Sequence, residues 1–215
     1  MLNKRAHTHL KNCDPKISHI ILGNIEDSTS SGQVYEQLLS SVISQQISVS
    51  AARSIKAKFL SFFDNSFPSY NALLKTKEED LRSCGLSKQK ISYMQNIAEY
   101  FRTNKIKNED FIAMSDEEII EMLTQIKGVG RWTVEMLLIF TLDRPDVFSL
   151  GDNGLLRGCE LIYGLKNIKA KDGTMTKEKI THKSFKNRIN KISEKWSPHR
   201  SLASRYIWQY KDSQK

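Results

Sequence analysis

The sequence predicts an all-α protein, and three observations carry that expectation. Apolar residues recur at helical spacing along most of the 215 residues. Alternating apolar and polar runs of the kind a half-buried strand needs are nearly missing. Capping boxes and terminal glycines bracket the periodic stretches, as helix starts and stops should. A chain of this length can bury a real core as one sizeable domain or two small lobes.

Taken in order, the elements read as follows. After the polar "EDSTSSGQ" at 26–33, Leu38, Leu39, Val42 and Ile43 recur at helical spacing. "SQQIS", 44–48, interrupts with polar residues, and a second helix runs from about Val49 with Ala52, Ile55, Phe59 and Phe62 on one side. "PSYNALLKTKEEDLRSCG" carries a short helix with a capping box at Thr76 and Glu79 and a stop at Gly85. "LSKQKISYMQNIAEYFRT" buries a stripe of Ile91, Met94, Ala98 and Phe101. Ser115 and Glu118 form another capping box, opening a helix that turns Ile119, Met122, Leu123 and Ile126 inward. "DVFSL" at 146–150 is β-branched and aromatic, but between Pro145 and Gly151 it is short and reads as an extended connection. The lysine-rich 166–191 stretch is weakly periodic and reads as a solvated loop plus a poorly marked helix. From Trp196, itself a structural residue in this reading, an amphipathic helix carries Leu202, Ala203, Tyr206 and Ile207. No internal repeat is visible.

Charge narrows the partners. Against 24 Asp and Glu stand 33 Lys and Arg, a net +9, which favours an anionic partner and places nucleic acid ahead of a membrane surface. The start, "MLNKRAHTHL", has no apolar run fit for a signal peptide, and no later stretch approaches a membrane span. Cys13, Cys84 and Cys159 are far apart and form no CxxC pair, which argues against zinc or an iron–sulfur cluster and for packed, reduced thiols.

The stretch "KGVGRWTVEML", 127–137, joins the two apolar helices of a unit spanning 115–141. The plain reading of its GxG is a tight turn. The other is an oxyanion site: Gly128 and Gly130 flank Val129, remove side chains from the surface, and leave the following amides near a helix N-terminus. Main-chain donors from Gly128, Val129, Gly130, Arg131 and Thr133 would then grip a phosphate without reading sequence.

The stretch "LTQIKGVGRWTVEMLLIF" followed by "DVFSLGDNGLLRG" resembles the signature of the helix-hairpin-helix (HhH-GPD) DNA glycosylases, nearest the DNA-3-methyladenine glycosylase II branch. "LLSSVISQQISVSAARSI", "LRSCGLSKQKISYMQNIAEYF" and "WSPHRSLASRYIW" agree with it in order, so the resemblance covers about residues 34–210. The chain has no room for the N-terminal β-rich domain of the large bacterial members and is similar to the compact forms. The resemblance implies a single 1–215 glycosylase domain of two helical lobes with the active-site cleft between them. Its central lobe would run about 49–145, with the hairpin at 115–141, and its second lobe would combine 1–48 with 146–215.

What the resemblance implies chemically begins with Asp152. Read by itself, an Asp before "NGLLRGCELIYG" is a good helix N-cap. In the family an aspartate at this place is catalytic, and the two roles are compatible. Breaking a base–sugar bond leaves cationic character on the sugar, which a fixed anion stabilises while helping to orient or deprotonate water. Members that also cut the backbone carry a lysine just after the GxG turn; here Trp132 fills that slot, implying a glycosylase without lyase activity. Trp132 and Trp208 match positions of an aromatic pocket for an extruded base, and Met136 stands where a tyrosine is known. Each tryptophan could equally be a core residue. The wedge that fills the gap in the duplex falls in Gln45, Gln46, Ile47 and Ser48, with Gln46 first, where related enzymes are known to use leucine. Main-chain carbonyls of Thr124, Ile126 and Val129 are the implied ligands of a structural monovalent cation, and no cofactor is needed for the chemistry.

The reading that follows is a monomeric glycosylase acting on double-stranded DNA with alkylated purines of the 3-methyladenine type, cytoplasmic (nucleoid-associated or nuclear according to the cell). Two others stay open: a related glycosylase for another damaged or mismatched base, and a non-catalytic helix-hairpin-helix DNA binder. Asp152 and the tryptophan pair speak against the last, because a pure binder gains nothing from an anion aimed at a polyanion.

Overall fold

The computed structural model describes residues 2–21, 23, 25, 32–165, 167–169, 175–177 and 179–214. The chain divides into a central unit, Thr29–Leu142, and a terminal unit built from Met1–Ser28 and Asp143–Lys215.

The central unit holds α3 (Val34–Ser44), α4 (Val49–Phe62), α5 (Tyr70–Lys75), α6 (Glu78–Ser83), α7 (Lys88–Thr103), α8 (Asp110–Ala113), α9 (Asp116–Thr124) and α10 (Arg131–Phe140). The axis of the unit is α7, whose Ile91, Met94, Ile97, Ala98 and Phe101 are buried against α3, α5 and α6. Serine oxygens accept first-turn amides at the starts of α4, α5, α7 and α9, from Ser48, Ser69, Ser87 and Ser115. Each such cap contributes about 1 kcal/mol. The Ser115–Glu118 box forms as expected. The Thr76–Glu79 box does not. Thr76 ends α5 and donates its hydroxyl back to Ala72 O at 2.8 Å, and α6 starts one residue later behind Lys77. Gly85, at φ +97°, gives the expected stop. Phe59 is buried as expected, but Phe62, one turn on at the end of α4, lies exposed.

The lobe boundary moves. Expected near residue 49, it lies before α3, because α3 buries Leu38, Leu39, Val42 and Ile43 and packs on α4, α7 and α10. At the other end the expected boundary near 145 falls close to the observed one after Leu142.

The terminal unit contains α1 (Leu2–Cys13), α2 (Pro15–Ile20), α11 (Asn153–Tyr163), α12 (Lys183–Ser193), a 3-10 turn at Glu194–Trp196 and α13 (Arg200–Ser213). Its most extensive helix pairing is α11 against α13. Gly158 permits it: a Cβ there would sit 2.4 Å from Ile207 Cγ2 and 3.0 Å from Ile207 O. The helices α1 and α2 have no counterpart in the sequence reading. Asp14 ties them down, accepting the Tyr163 hydroxyl at 2.7 Å and the indole N–H of fully buried Trp196 at 3.3 Å. Trp196 is thus structural, as expected. Within the lysine-rich stretch, Asn167–Lys169 (β1) and Met175–Lys177 (β2) pair antiparallel, and α12 follows. This ribbon is the only β-structure among the described residues, whose other regular elements are all helical.

Candidate functional site

The sequence-predicted site residues fall into two groups, one in each unit. In the central unit the hairpin turn is fixed from outside. Gly128 has φ +104°, and a Cβ on it would sit 2.3 Å from the Tyr93 ring. Asn96 Nδ2 donates to Lys127 O at 3.1 Å and Gln45 Nε2 to Gly128 O at 3.3 Å, so α7 and the 45–48 loop both hold the turn. Gly130 differs: its φ of −96° is open to any residue, and a Cβ on it would meet nothing within 4 Å. Its lack of a side chain leaves the head of α10 bare rather than relieving strain.

At that head the sequence suggested an anion site made of main-chain amides. The helical ladder of α10 starts with Val134 N–H to Gly130 O at 3.2 Å, so the N–H groups of Gly130, Arg131, Trp132 and Thr133 precede it. Val129 does not join them, since its N–H closes the turn on Ile126 O at 3.0 Å and its side chain is buried. The Arg131 side chain is engaged within the hairpin. It grips Glu117 of α9 with two bonds, 2.7 and 2.9 Å, and Glu135 with a third at 3.0 Å, clipping the two hairpin helices together. The Arg131 bond holds the Glu117 carboxyl below the usual range. Thr133 is buried and offers only its backbone.

Trp132 is 45% exposed on the first turn of α10, and half-buried Met136 follows it on the same face at i+4. In the 45–48 loop Gln45 is engaged with the hairpin and Ser48 is the cap of α4, which leaves Gln46 and Ile47 projecting. Gln46 is exposed at φ +57°, Ile47 is exposed, and Val49, which the sequence reading did not single out, is 78% exposed. A cavity of about 310 Å³ opens behind this loop, lined in part by Gln46, Ile55, Tyr93 and Lys90. Lys90 was also missed. It donates to Ile43 O at 2.7 Å, closing the C-terminus of α3, and burial lowers its ammonium pKa. Among the described residues no group of three or more His, Cys, Asp or Glu side chains could hold a metal ion.

In the terminal unit Asp152 caps α11, its carboxylate accepting Leu155 N–H. The same oxygen, Oδ1, accepts the indole N–H of Trp208 from α13 at 2.9 Å. Gly154 leaves a notch beside them: a Cβ there would lie 3.1 Å from Asp152 Oδ1 and 3.6 Å from both Trp208 Nε1 and Lys211 Nζ. The segment leading to Asp152 is strapped to the start of α13. Ser201 Oγ donates to Arg144 O at 2.6 Å, Val147 N–H donates to Ser201 Oγ at 2.9 Å, and Arg200 makes a two-bond pair with Asp146 at 2.8 and 2.9 Å. Burial opposes charge on Asp146, but the bonds from Arg200 and Ser197 win and hold its carboxyl below the usual range.

A depressed carboxyl contributes stability that is complete above its unfolded value, near pH 4, and is lost as pH falls through the folded value. Asp146→Asn should therefore cost about 1–2 kcal/mol at pH 7, with the gap from wild type closing in acid. Denaturant melts at pH 7 and pH 3 measure it; an equal gap at both would mean the ion pair is not the source.

Comparison with known proteins adds a lineage to this geometry. Residues 39–183 match the family described as HhH-GPD superfamily base excision DNA repair protein. The chain is 35% identical over 210 residues to DNA-3-methyladenine glycosylase 1 of Schizosaccharomyces pombe, covering 95% of this chain and 86% of that protein. It is 36% identical over 192 residues to the DNA-3-methyladenine glycosylase of Saccharomyces cerevisiae, covering 80% of this chain and 64% of the relative. The solved 3-methyladenine DNA glycosylase of S. pombe in complex with abasic DNA aligns with a TM-score of 0.78 at 33% identity, over 95% of each chain. The chain belongs to the HhH-GPD superfamily of base excision DNA repair proteins.

Proposed function

We propose that this protein is a DNA glycosylase that excises alkylated purines of the 3-methyladenine type from duplex DNA by hydrolysing the N-glycosidic bond, acting as a monomer and without cutting the backbone. The observation that carries the reading is the Asp152 carboxylate, held on Oδ1 by Leu155 N–H and Trp208 Nε1–H, in a family whose relatives bear that enzyme name. Departure of a base that already carries positive charge needs little acid assistance. It leaves an oxocarbenium-like sugar, and an anion fixed beforehand stabilises that charge without reorganising during the reaction. The amides heading α10 offer donors to a strand phosphate, and Trp132 with Met136 offers an aromatic and polarizable face to an extruded cationic base. Trp132 also occupies the place where a Schiff-base lysine would have to stand. Carbonyl oxygens of Thr124, Ile126 and Val129 would suit a monovalent cation; Ile126 O, although it accepts Val129 N–H, has a second lone pair for it.

Incubation with methylated duplex DNA, followed by chromatography of the released bases, tests the reading. Free 3-methyladenine with an intact backbone is the expected outcome. Release of a different base from a panel of single-lesion duplexes would move the protein to another glycosylase specificity, and binding without any release would make it a DNA-binding module.

A further inference from the structure

The structure gives Trp208 a task different from the one its position first suggested. We infer that Trp208 is a positioning residue, whose indole N–H holds Asp152 in a single orientation, and not a stacking wall for the base. The inference rests on the function proposed above. Two donors from different elements meet on Asp152 Oδ1: Leu155 N–H from the helix that Asp152 itself caps, and Trp208 Nε1–H from α13, 56 residues away, at 2.9 Å. A carboxylate held by its own helix alone can still swing about its side-chain torsions; a second donor on a separate element removes that freedom. Both ends of the link are rigid. The Trp208 ring packs against the terminal-unit core, and the start of α13 is fastened to the segment before Asp152 through Arg200, Ser201 and Asp146. Gly154 leaves the pair undisturbed, since a Cβ there would press on Asp152 Oδ1 at 3.1 Å.

Two variants separate positioning from stacking. Trp208→Phe keeps an aromatic face and loses the donor. Trp208→His gives up ring area but superposes its five-membered ring so that Nε2–H takes the place of Nε1–H. The readouts are the single-turnover rate of 3-methyladenine release from methylated duplex and the affinity for the same duplex. Loss of an oriented donor to a charged group should slow Trp208→Phe on the order of tenfold or more, with affinity unchanged, and Trp208→His should recover most of the rate. In an Asp152→Asn background, Trp208→Phe should then cost little further, because its effect passes through the carboxylate. A Phe variant as fast as wild type, a Phe variant faster than the His variant, or full additivity with Asp152→Asn would each overturn the positioning role. A wild-type protein that releases no base sinks the proposed function; an active wild type with an unaffected Phe variant sinks only this inference.

Discussion

Replacing Asp152 by Asn should lower base excision by about 10³-fold or more while leaving duplex affinity and thermal stability near wild type. The substitution is chosen for what it keeps. Asparagine is as good an N-cap as aspartate, and its amide oxygen can still accept both Leu155 N–H and Trp208 Nε1–H at the position of Oδ1. Shape and hydrogen bonding survive, so the variant subtracts charge and little else. A cap alone would then show no phenotype, and an anion facing a developing sugar cation would show a large one. Asp152→Ala serves as a control from the other side: it adds a cap loss of about 1 kcal/mol and removes the carboxylate that accepts the Trp208 indole N–H. Single-turnover rates, duplex titrations and melting curves on the same preparations separate the two contributions. Excision by Asp152→Asn at the wild-type rate would remove this carboxylate from the chemistry.

How much of this could be read from the chain depends on how far apart the cooperating residues lie. Local signals translated well: the Ser115–Glu118 box, the Gly85 and Gly128 turns and the Asp152 cap each involve residues within a few positions of one another. Where two local signals competed, the sequence misled. Thr76 could open α6 or finish α5, and its bond to Ala72 O settles it for the end of α5. The polar α1 buries only Ala6 and Leu10 among its described side chains, too thin a stripe to stand out, since its stability comes from packing that periodicity does not report. The contacts that shape the site are the least legible. Trp208 to Asp152, Gln45 to Gly128 and Arg131 to Glu117 span 56, 83 and 14 residues. Arg131 entered the sequence reading through its main-chain amide alone, and no pattern in the sequence showed that its side chain would clip Glu117 and Glu135 across the hairpin.

Gly128→Ala and Gly130→Ala should separate the fold of the hairpin from its grip. At Gly128 an alanine would force a side chain into a φ of +104° and drive its Cβ to 2.3–2.7 Å from three atoms of Tyr93, a residue of α7. The left-handed strain is about 1–2 kcal/mol and the overpacking about 1–3 kcal/mol, so a loss of about 2–5 kcal/mol is expected, along with weaker duplex binding. At Gly130 the same methyl meets nothing within 4 Å and the backbone is unstrained, so the stability change stays within about 1 kcal/mol, the difference between glycine and alanine as a helix cap. Yet that methyl projects from the place where a phosphate oxygen would approach the α10 amides, and duplex affinity should fall all the same. Because those donors are backbone groups, the loss should be similar for undamaged and methylated duplexes. If Gly130→Ala binds both as tightly as wild type, the head of α10 does not hold the strand, and the loss of affinity in Gly128→Ala would report only a misfolded hairpin.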